Sequence, residues 1–361
     1  MSSRTDSTRA ASLRAGAALP QLLDPDAYLP CDWDLTTDHH GRSLWLEIFE
    51  RQADHLAAAA RQSDYADADV AEARGRILRM VRAIREDPTA IGPRLDILTI
   101  DRRRDGILRE CGVDDPFRAI KNRENDRALA ELEARCAELD ALPEADRLPE
   151  AIRGVFAGNL FDMGAHRTAE MFMGDEGPRF RACLGRVPDR PWGIDDLEGA
   201  TLEGFRHAAL FVDNAGADAI LGMLPLAREL ARRGSRVTLG ANELPSLNDI
   251  TASELARVLE IAAPLREHLE SGRIAVASTG STDPLIDLAD LDRAFCDRVR
   301  DADLVVLEGM GRGLESNWEA RLSCETWRVA IVKVEPVAER RGVRLFDGVF
   351  RREPAPAANA E

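Results

Sequence analysis

Asp213 and Asn214 close the short apolar run Leu210-Phe211-Val212, and Gly216 then opens what reads as a helix from Asp218 to Leu230. A second copy of the pattern follows: Arg236–Asn242 reads as a strand, and Asn248-Asp249 lead into the next helix. A strand that hands polar groups to a turn before a helix places them in the crevice beyond the strand ends of an open α/β sheet. The two oxygen-rich turns are therefore expected at neighbouring strand ends. Their donors, Asp213, Asn214 and Asp249, are hard oxygens of the kind that hold Mg²⁺, Mn²⁺ or a similar divalent cation.

Other residues are expected in the same crevice. Leu304–Leu307 reads as a strand ending in Glu308 and the glycine-rich turn Gly309-Met310-Gly311-Arg312-Gly313. That turn reads as an anion-binding nest of backbone N–H groups with Arg312 available for a phosphate. It also reads as a plain tight turn. Lys333 ends the run Val329–Lys333, pointing into the crevice or snorkelling to solvent. Ser278–Ser281 follows a further strand and suits either a phosphate contact or a helix entry. Asn159 and Asp162 lie three apart in an apolar segment and share a face if it is helical, where Asp162 would serve the site or cap the helix. Phe117–Asn125, densely polar at helical spacing, reads as a solvated, salt-bridged face.

The elements that must position these residues divide the chain. Residues 1–18 and 353–361 are low-complexity ends, expected to be disordered. Residues 19–195 carry helical periodicity, in Ser43–Glu50 running into an Ala-rich stretch, in Val70–Ile84 and in Asn125–Leu142. Residues 196–352 alternate strand and helix. The strands are Ala208–Val212, Val237–Ala241, Ile274–Ser278, Leu304–Leu307, Val329–Lys333 and Val343–Phe350, the last an antiparallel edge by its alternation. Helices between them include a long Leu255–Leu269 entered by the capping box Thr251-x-x-Glu254. The fold class is α/β, a doubly wound, mostly parallel sheet with an all-helical N-terminal domain.

Bulk properties and missing motifs narrow the function. A net charge of −16 argues against a broad nucleic-acid or acidic-membrane surface. Six widely spaced cysteines form no Cys-x-x-Cys pair and read as reduced thiols. No signal-peptide core or membrane span is visible, so a soluble, cytoplasmic protein is expected. Dinucleotide, Walker, zinc-protease and nucleophile-elbow patterns are all missing.

Four blocks, Arg153–Asp162, Phe211–Asp218, Leu247–Thr251 and Glu308–Arg312, with Arg123-Glu124-Asn125-Asp126 as a fifth, resemble the damage-control phosphatases. This is a metal-dependent family; the likeness is greatest to the branch joined to a pantothenate kinase in vertebrates and to its stand-alone plant relatives. The resemblance covers residues 25–350. It implies a Rossmann-like α/β domain beneath a helical one. Asp213, Asn214 and Asp249 would be metal ligands, for Mn, Co, Ni or Mg. Asp213, Asp249 and Lys333 would be catalytic, and Asn159, Asp162, Gly216, Glu308, Gly309, Arg312 and Lys333 would bind substrate. The implied partner is a small phosphorylated metabolite, 4′-phosphopantetheine or its oxidised forms; a sugar phosphate is the alternative. The chemistry expected is attack by water with Asp249 or Asp162 as base, attack by Asp213 itself staying open. Two departures border the site: Glu243-Leu244-Pro245-Ser246 before Leu247, where the family has Gly-Pro, and Val334-Glu335-Pro336 after Lys333, where it has Asn. Two rival readings are a non-catalytic metabolite binder and a nucleotide- or S-adenosylmethionine-dependent transferase. The oligomeric state is open, a homo-oligomer included.

Overall fold

The computed structural model describes residues 16–160 and 180–357. Five helices come first: α1 (His39–Gln62), α2 (Asp67–Glu86), α3 (Ile97–Glu110), α4 (Arg118–Asp140) and α5 (Glu144–Leu160). Asp38 caps α1 by accepting from Gly41 N at 2.8 Å, and Asp96 caps α3 by accepting from Thr99 N at 2.8 Å. Each satisfies an N–H that has no partner inside the helix.

The remainder is one seven-stranded sheet. Its strands are β1 (Ile194–Asp195), β2 (His207–Phe211), β3 (Arg236–Ala241), β4 (Ile274–Ser278), β5 (Leu304–Glu308), β6 (Glu325–Ile331) and β7 (Gly348–Glu353), in the order β1-β7-β6-β5-β2-β3-β4. Every neighbouring pair is parallel except β6 with β7. The doubly wound expectation holds. The central strands β2 and β5 are buried along their whole length, as strands covered by helices on both faces must be. The chain leaves β2 towards β3 on one side and returns to β5 on the other, so the switch point where ligands bind lies between the ends of β2 and β5.

Three details differ from expectation. The final strand is antiparallel but not the edge, because β1 pairs with its outer side. The expected long helix Leu255–Leu269 is broken into Ala252–Ile261, a tight turn at Ala263–Leu265 and Arg266–Glu270. Pro264 lacks the N–H that would continue the ladder and disfavours a helical residue before it. Helix α3 carried no sequence signal that stood out.

The helical and sheet layers share their cores. Helices α1–α3 bury Trp45, Phe49, Ile77 and Ile100 in one cluster with Leu285, Leu314 and Val332. Helix α5 buries Val155 and Phe156 in one cluster with residues of β2, β3 and β6. The N-terminal strap joins the sheet layer: Ala17 pairs with Leu291 and Leu22 with Leu322. No described helix is long and apolar enough to cross a membrane.

Candidate active site at the sheet switch point

The two oxygen-rich turns meet as the sequence predicts. Ala215 N donates to Asn248 O and Ile250 N to Asp213 O, each at 2.9 Å, so the turn after β2 and the turn after β3 are zipped by backbone bonds. This brings Asp213, Asn214, Asn248 and Asp249 side by side at the strand ends, all buried. β5 delivers Glu308 beside them, where its Oε2 accepts from Asp213 N at 2.8 Å. The turns after β2 and β5 each run directly into a π-helical segment, Asp218–Met223 and Met310–Glu315, a distortion found mostly at functional sites.

A cavity of about 430 Å³ opens above this junction. Asp213, Asn214, Asn248, Asp249 and Lys333 lie on its lining, and α1 forms the opposite wall. Lys333 is buried, not snorkelling, with Nζ donating to the carbonyl of Asn159 at 3.2 Å.

Beneath that surface lies a second tier. Asp218, quoted in the sequence only as a helix start, converges with Asp213 and Glu308 so that one oxygen of each lies within 4.8 Å of the others. Asn159, fully buried at the end of α5, ties the tier together. Its amide donates to Asp218 Oδ2 at 2.9 Å and to Glu308 Oε1 at 3.2 Å, while its oxygen accepts from Ile331 N at 3.1 Å. A side chain on Gly158 would strike the Asp218 backbone, so that glycine is what lets α5 come close enough. Asn214 donates to both Asp213 and Asp218, at 2.9 and 2.8 Å.

Arg312 is turned inward. It ion-pairs with Asp213 and donates to Asp249 Oδ2 at 2.8 Å and to Asn242 Oδ1 at 3.1 Å, and it is not on the cavity lining. The glycine turn does not form an open nest either: Gly309 N donates to Val329 O and Gly313 N to Gly309 O. Gly309 is needed for another reason, since at φ 94° its missing side chain would overlap the Asp213 carboxylate. Gly216 N is held by Asn125 Oδ1 at 2.7 Å, at φ 79°, pressed against Glu124. This corrects the solvated reading of the polar stretch around it: Lys121, Glu124 and Asn125 are buried, and Lys121 pairs with Asp115 and Glu254, each at 3.0 Å. Asp162 lies outside the described residues.

The charges do not balance. Asp213, Asp218, Asp249 and Glu308 are buried with Arg312 and Lys333. Burial pushes the Glu308 carboxyl well above the usual range, reinforced by Asp218. Burial likewise raises Asp218 against the pull of Lys333 and the Asn159 and Asn214 amides. Asp218 Oδ1 is buried with no hydrogen-bond partner. Clustered carboxylates with an orphaned oxygen are a donor set that a hard divalent cation fits, because it removes the excess charge and takes the unused lone pairs.

The sequence signal for Asp218 is an acid set among Ala217, Ala219, Ile220 and Leu221, where burial is costly without a purpose. The departing loops are also placed. Val334, Glu335 and Pro336 line the cavity, whereas Ser246 turns away and bonds Asp105 on α3. The Ser278–Ser281 turn packs on β3, with Thr279 Oγ1 donating to Ala241 O at 3.1 Å.

A family model described as the damage-control phosphatase ARMT1-like domain matches residues 45–349. A damage-control phosphatase of Arabidopsis thaliana is 40% identical over 284 residues, covering 76% of this chain and 77% of that protein. The 4′-phosphopantetheine phosphatase of Mus musculus is 32% identical over 396 residues, and pantothenate kinase 2 of Arabidopsis thaliana is 36% identical over 377. Each of these covers 93% of this chain, which spans only 48% and 41% of their own lengths. A crystal structure of a DUF89 family protein from Pyrococcus horikoshii superposes with a TM-score of 0.60 at 18% identity, over 85% of this chain and 97% of that one, a likeness of fold.

Proposed function

The chain belongs to the damage-control phosphatase ARMT1-like family and is a phosphatase, and we propose that it hydrolyses a small phosphate monoester, 4′-phosphopantetheine or an oxidised form of it foremost. The observation that carries this is the convergence of Asp213, Asn214, Asp249 and Lys333 on the floor of one cavity at the switch point. The substrate named for the Mus musculus relative supports the finer reading, since that likeness runs over 93% of the chain.

In this reading a divalent ion, Mn, Co, Ni or Mg, would be held by Asp213, Asn214 and Asp249, with Asp218 and Glu308 beneath. When bound, it supplies the positive charge that polarises phosphorus and offsets charge building on the phosphoryl oxygens. The chain's own groups do the rest. The Lys333 ammonium, on the cavity lining, donates to the phosphate and holds it in place. Asp249 takes the proton of the attacking water and returns it to the alcohol oxygen as the P–O bond breaks. Arg312 holds Asp213 and Asp249 in register from below, and Asn159 fixes Asp218 and Glu308. Attack by Asp213 in place of water is the competing route.

The test is phosphate release from a panel of monoesters, 4′-phosphopantetheine and sugar phosphates included, with each metal added in turn after chelator treatment. Release that needs metal and disappears in Asp249→Ala is the expected result. No release with any metal would end the phosphatase reading for this chain.

A further inference from the structure

Helix α1 carries apolar residues beyond its fully buried stripe, Ile48 at the edge of the same core. Trp45, Leu46, Phe49, Ala53, Leu56 and Ala57 are buried among the other helices. A helix on the surface of a globular protein normally turns polar outside that stripe. Here Leu44 and Ile48, one turn apart, stay partly exposed and lie on the cavity lining. The same face continues one turn on to Arg51, Gln52 and His55, which also line the cavity. Across from this face stand Leu247, Leu285, Met310 and Val334. The lining therefore joins the acidic and cationic floor to an apolar stripe from α1 and the facing loops, with Glu47, Asp101, Glu315 and Glu335 also on the cavity wall.

We infer that Leu44 and Ile48 are specificity-determining residues, and that they select a phosphate monoester whose phosphate is joined to a flexible apolar body over one joined to a polyhydroxylated body. The inference rests on the phosphatase reading of the floor. With the phosphate against Lys333, the next atoms of the substrate lie between the α1 face and Met310 and Val334. An apolar chain there removes exposed carbon surface from water on both sides. A sugar there gives up the water on its hydroxyls and meets carbon in exchange, which is unfavourable. Gln52 and His55, further along the same face, suit a polar group at the far end of the chain.

Hexyl phosphate and glucose 6-phosphate have the same carbon count and opposite polarity, and serve as the probe pair. In the metal-loaded wild type, kcat/KM for hexyl phosphate should exceed that for glucose 6-phosphate by more than about tenfold, and Ile48→Ser or Leu44→Ser should shrink the ratio by about tenfold. Ile48→Trp, which fills the cavity without opening the core, should shrink it too and guards against a variant that merely loosens α1. A wild-type ratio near one, or a ratio unmoved in all three variants, overturns the assignment. If neither ester is hydrolysed with any metal, 4′-phosphopantetheine in the same assay shows whether the phosphatase reading has failed on its own. Calorimetric binding of the two esters then decides the wall: preference for hexyl phosphate that is lost in the variants supports it, and equal binding overturns it.

Discussion

Arg312 Nη2 donates to Asp249 Oδ2 at 2.8 Å, joining the turn after β5 to the turn after β3 across the switch point. The same guanidinium also pairs with Asp213, in the turn after the strand between them. Burial lowers the Arg312 pKa to about 9, which still leaves it charged at neutral pH. Removing it strands two buried carboxylates. We expect Arg312→Ala to lose about 3–5 kcal/mol of stability in chelator. The loss should be smaller with saturating Mn²⁺, because the ion takes over the compensation. Urea denaturation under both conditions measures this. Equal stability of variant and wild type in chelator would remove Arg312 from the charge balance of the site.

Asp213 is common to the cavity-facing set with Asn214 and Asp249 and to the deeper set with Asp218 and Glu308. Asp213→Asn and Asp249→Asn should abolish the rise in melting temperature produced by Mn²⁺. Asp218→Asn should weaken that rise while making the metal-free protein more stable, since it deletes a charge whose burial is unfavourable. Thermal melts with and without Mn²⁺ read both quantities. A full metal response in Asp249→Asn, together with none in Asp218→Asn, would transfer the ion to the lower tier.

The upper tier was legible in the sequence because strand, turn and helix alternate so plainly that Asp213, Asn214, Asp249 and Lys333 had to fall at strand ends. The lower tier was not, because it is assembled by approach between layers. Asn159 reaches Asp218 only because Gly158 admits α5 to the backbone there, and nothing in the spacing of two residues so far apart records it. Arg312 shows the complementary limit. Its position in a glycine-rich turn suggested an outward phosphate clamp, and only the location of Asp249 across the sheet turns it inward. Polar periodicity misled around Asn125 for the same reason: half of that helix surface faces another layer rather than solvent.

Gly309 and Gly342 both have positive φ, 94° and 68°, but only Gly309 lies against a functional group. Gly342→Ala meets open space and should lose about 1 kcal/mol from the left-handed backbone alone, with turnover intact. Gly309→Ala must displace the Asp213 carboxylate, and we expect about 1–3 kcal/mol of destabilisation together with loss of metal response and turnover. Paired denaturation and activity measurements separate the two. Full activity in Gly309→Ala would show that the Asp213 position is not critical.

Asp101 on α3 lines the cavity and is buried beside Arg104. Burial raises its pKa to about 7, with Arg104 pulling down and Asp105 and Asp283 pushing up. The folded protein thus binds this proton more tightly than the unfolded chain. Its stabilising contribution is complete below the ordinary value of 3.8 and is lost as pH rises through about 7. Asp101→Asn cannot titrate, so its melting temperature should gain on that of wild type between about pH 4 and about pH 7. A constant difference across that range would mean the carboxyl is ionised throughout.

Lys333 stands two residues past the end of β6, buried, with its ammonium against the Asn159 carbonyl and its field acting on Asp218 and Glu308. Those contacts give it two separable duties. As a donor to the phosphate it should matter most where charge builds on the phosphoryl oxygens, so Lys333→Met should cut kcat by about 100-fold or more. As a cation acting on Asp218 and Glu308 it should also restrain proton uptake there, so the variant should bind more protons per metal ion displaced. Calorimetric metal binding in buffers of different ionisation enthalpy counts those protons. A Lys333→Met enzyme with normal kcat and raised KM would make the lysine a holder of ground-state substrate only. An unchanged proton count would confine it to the upper tier.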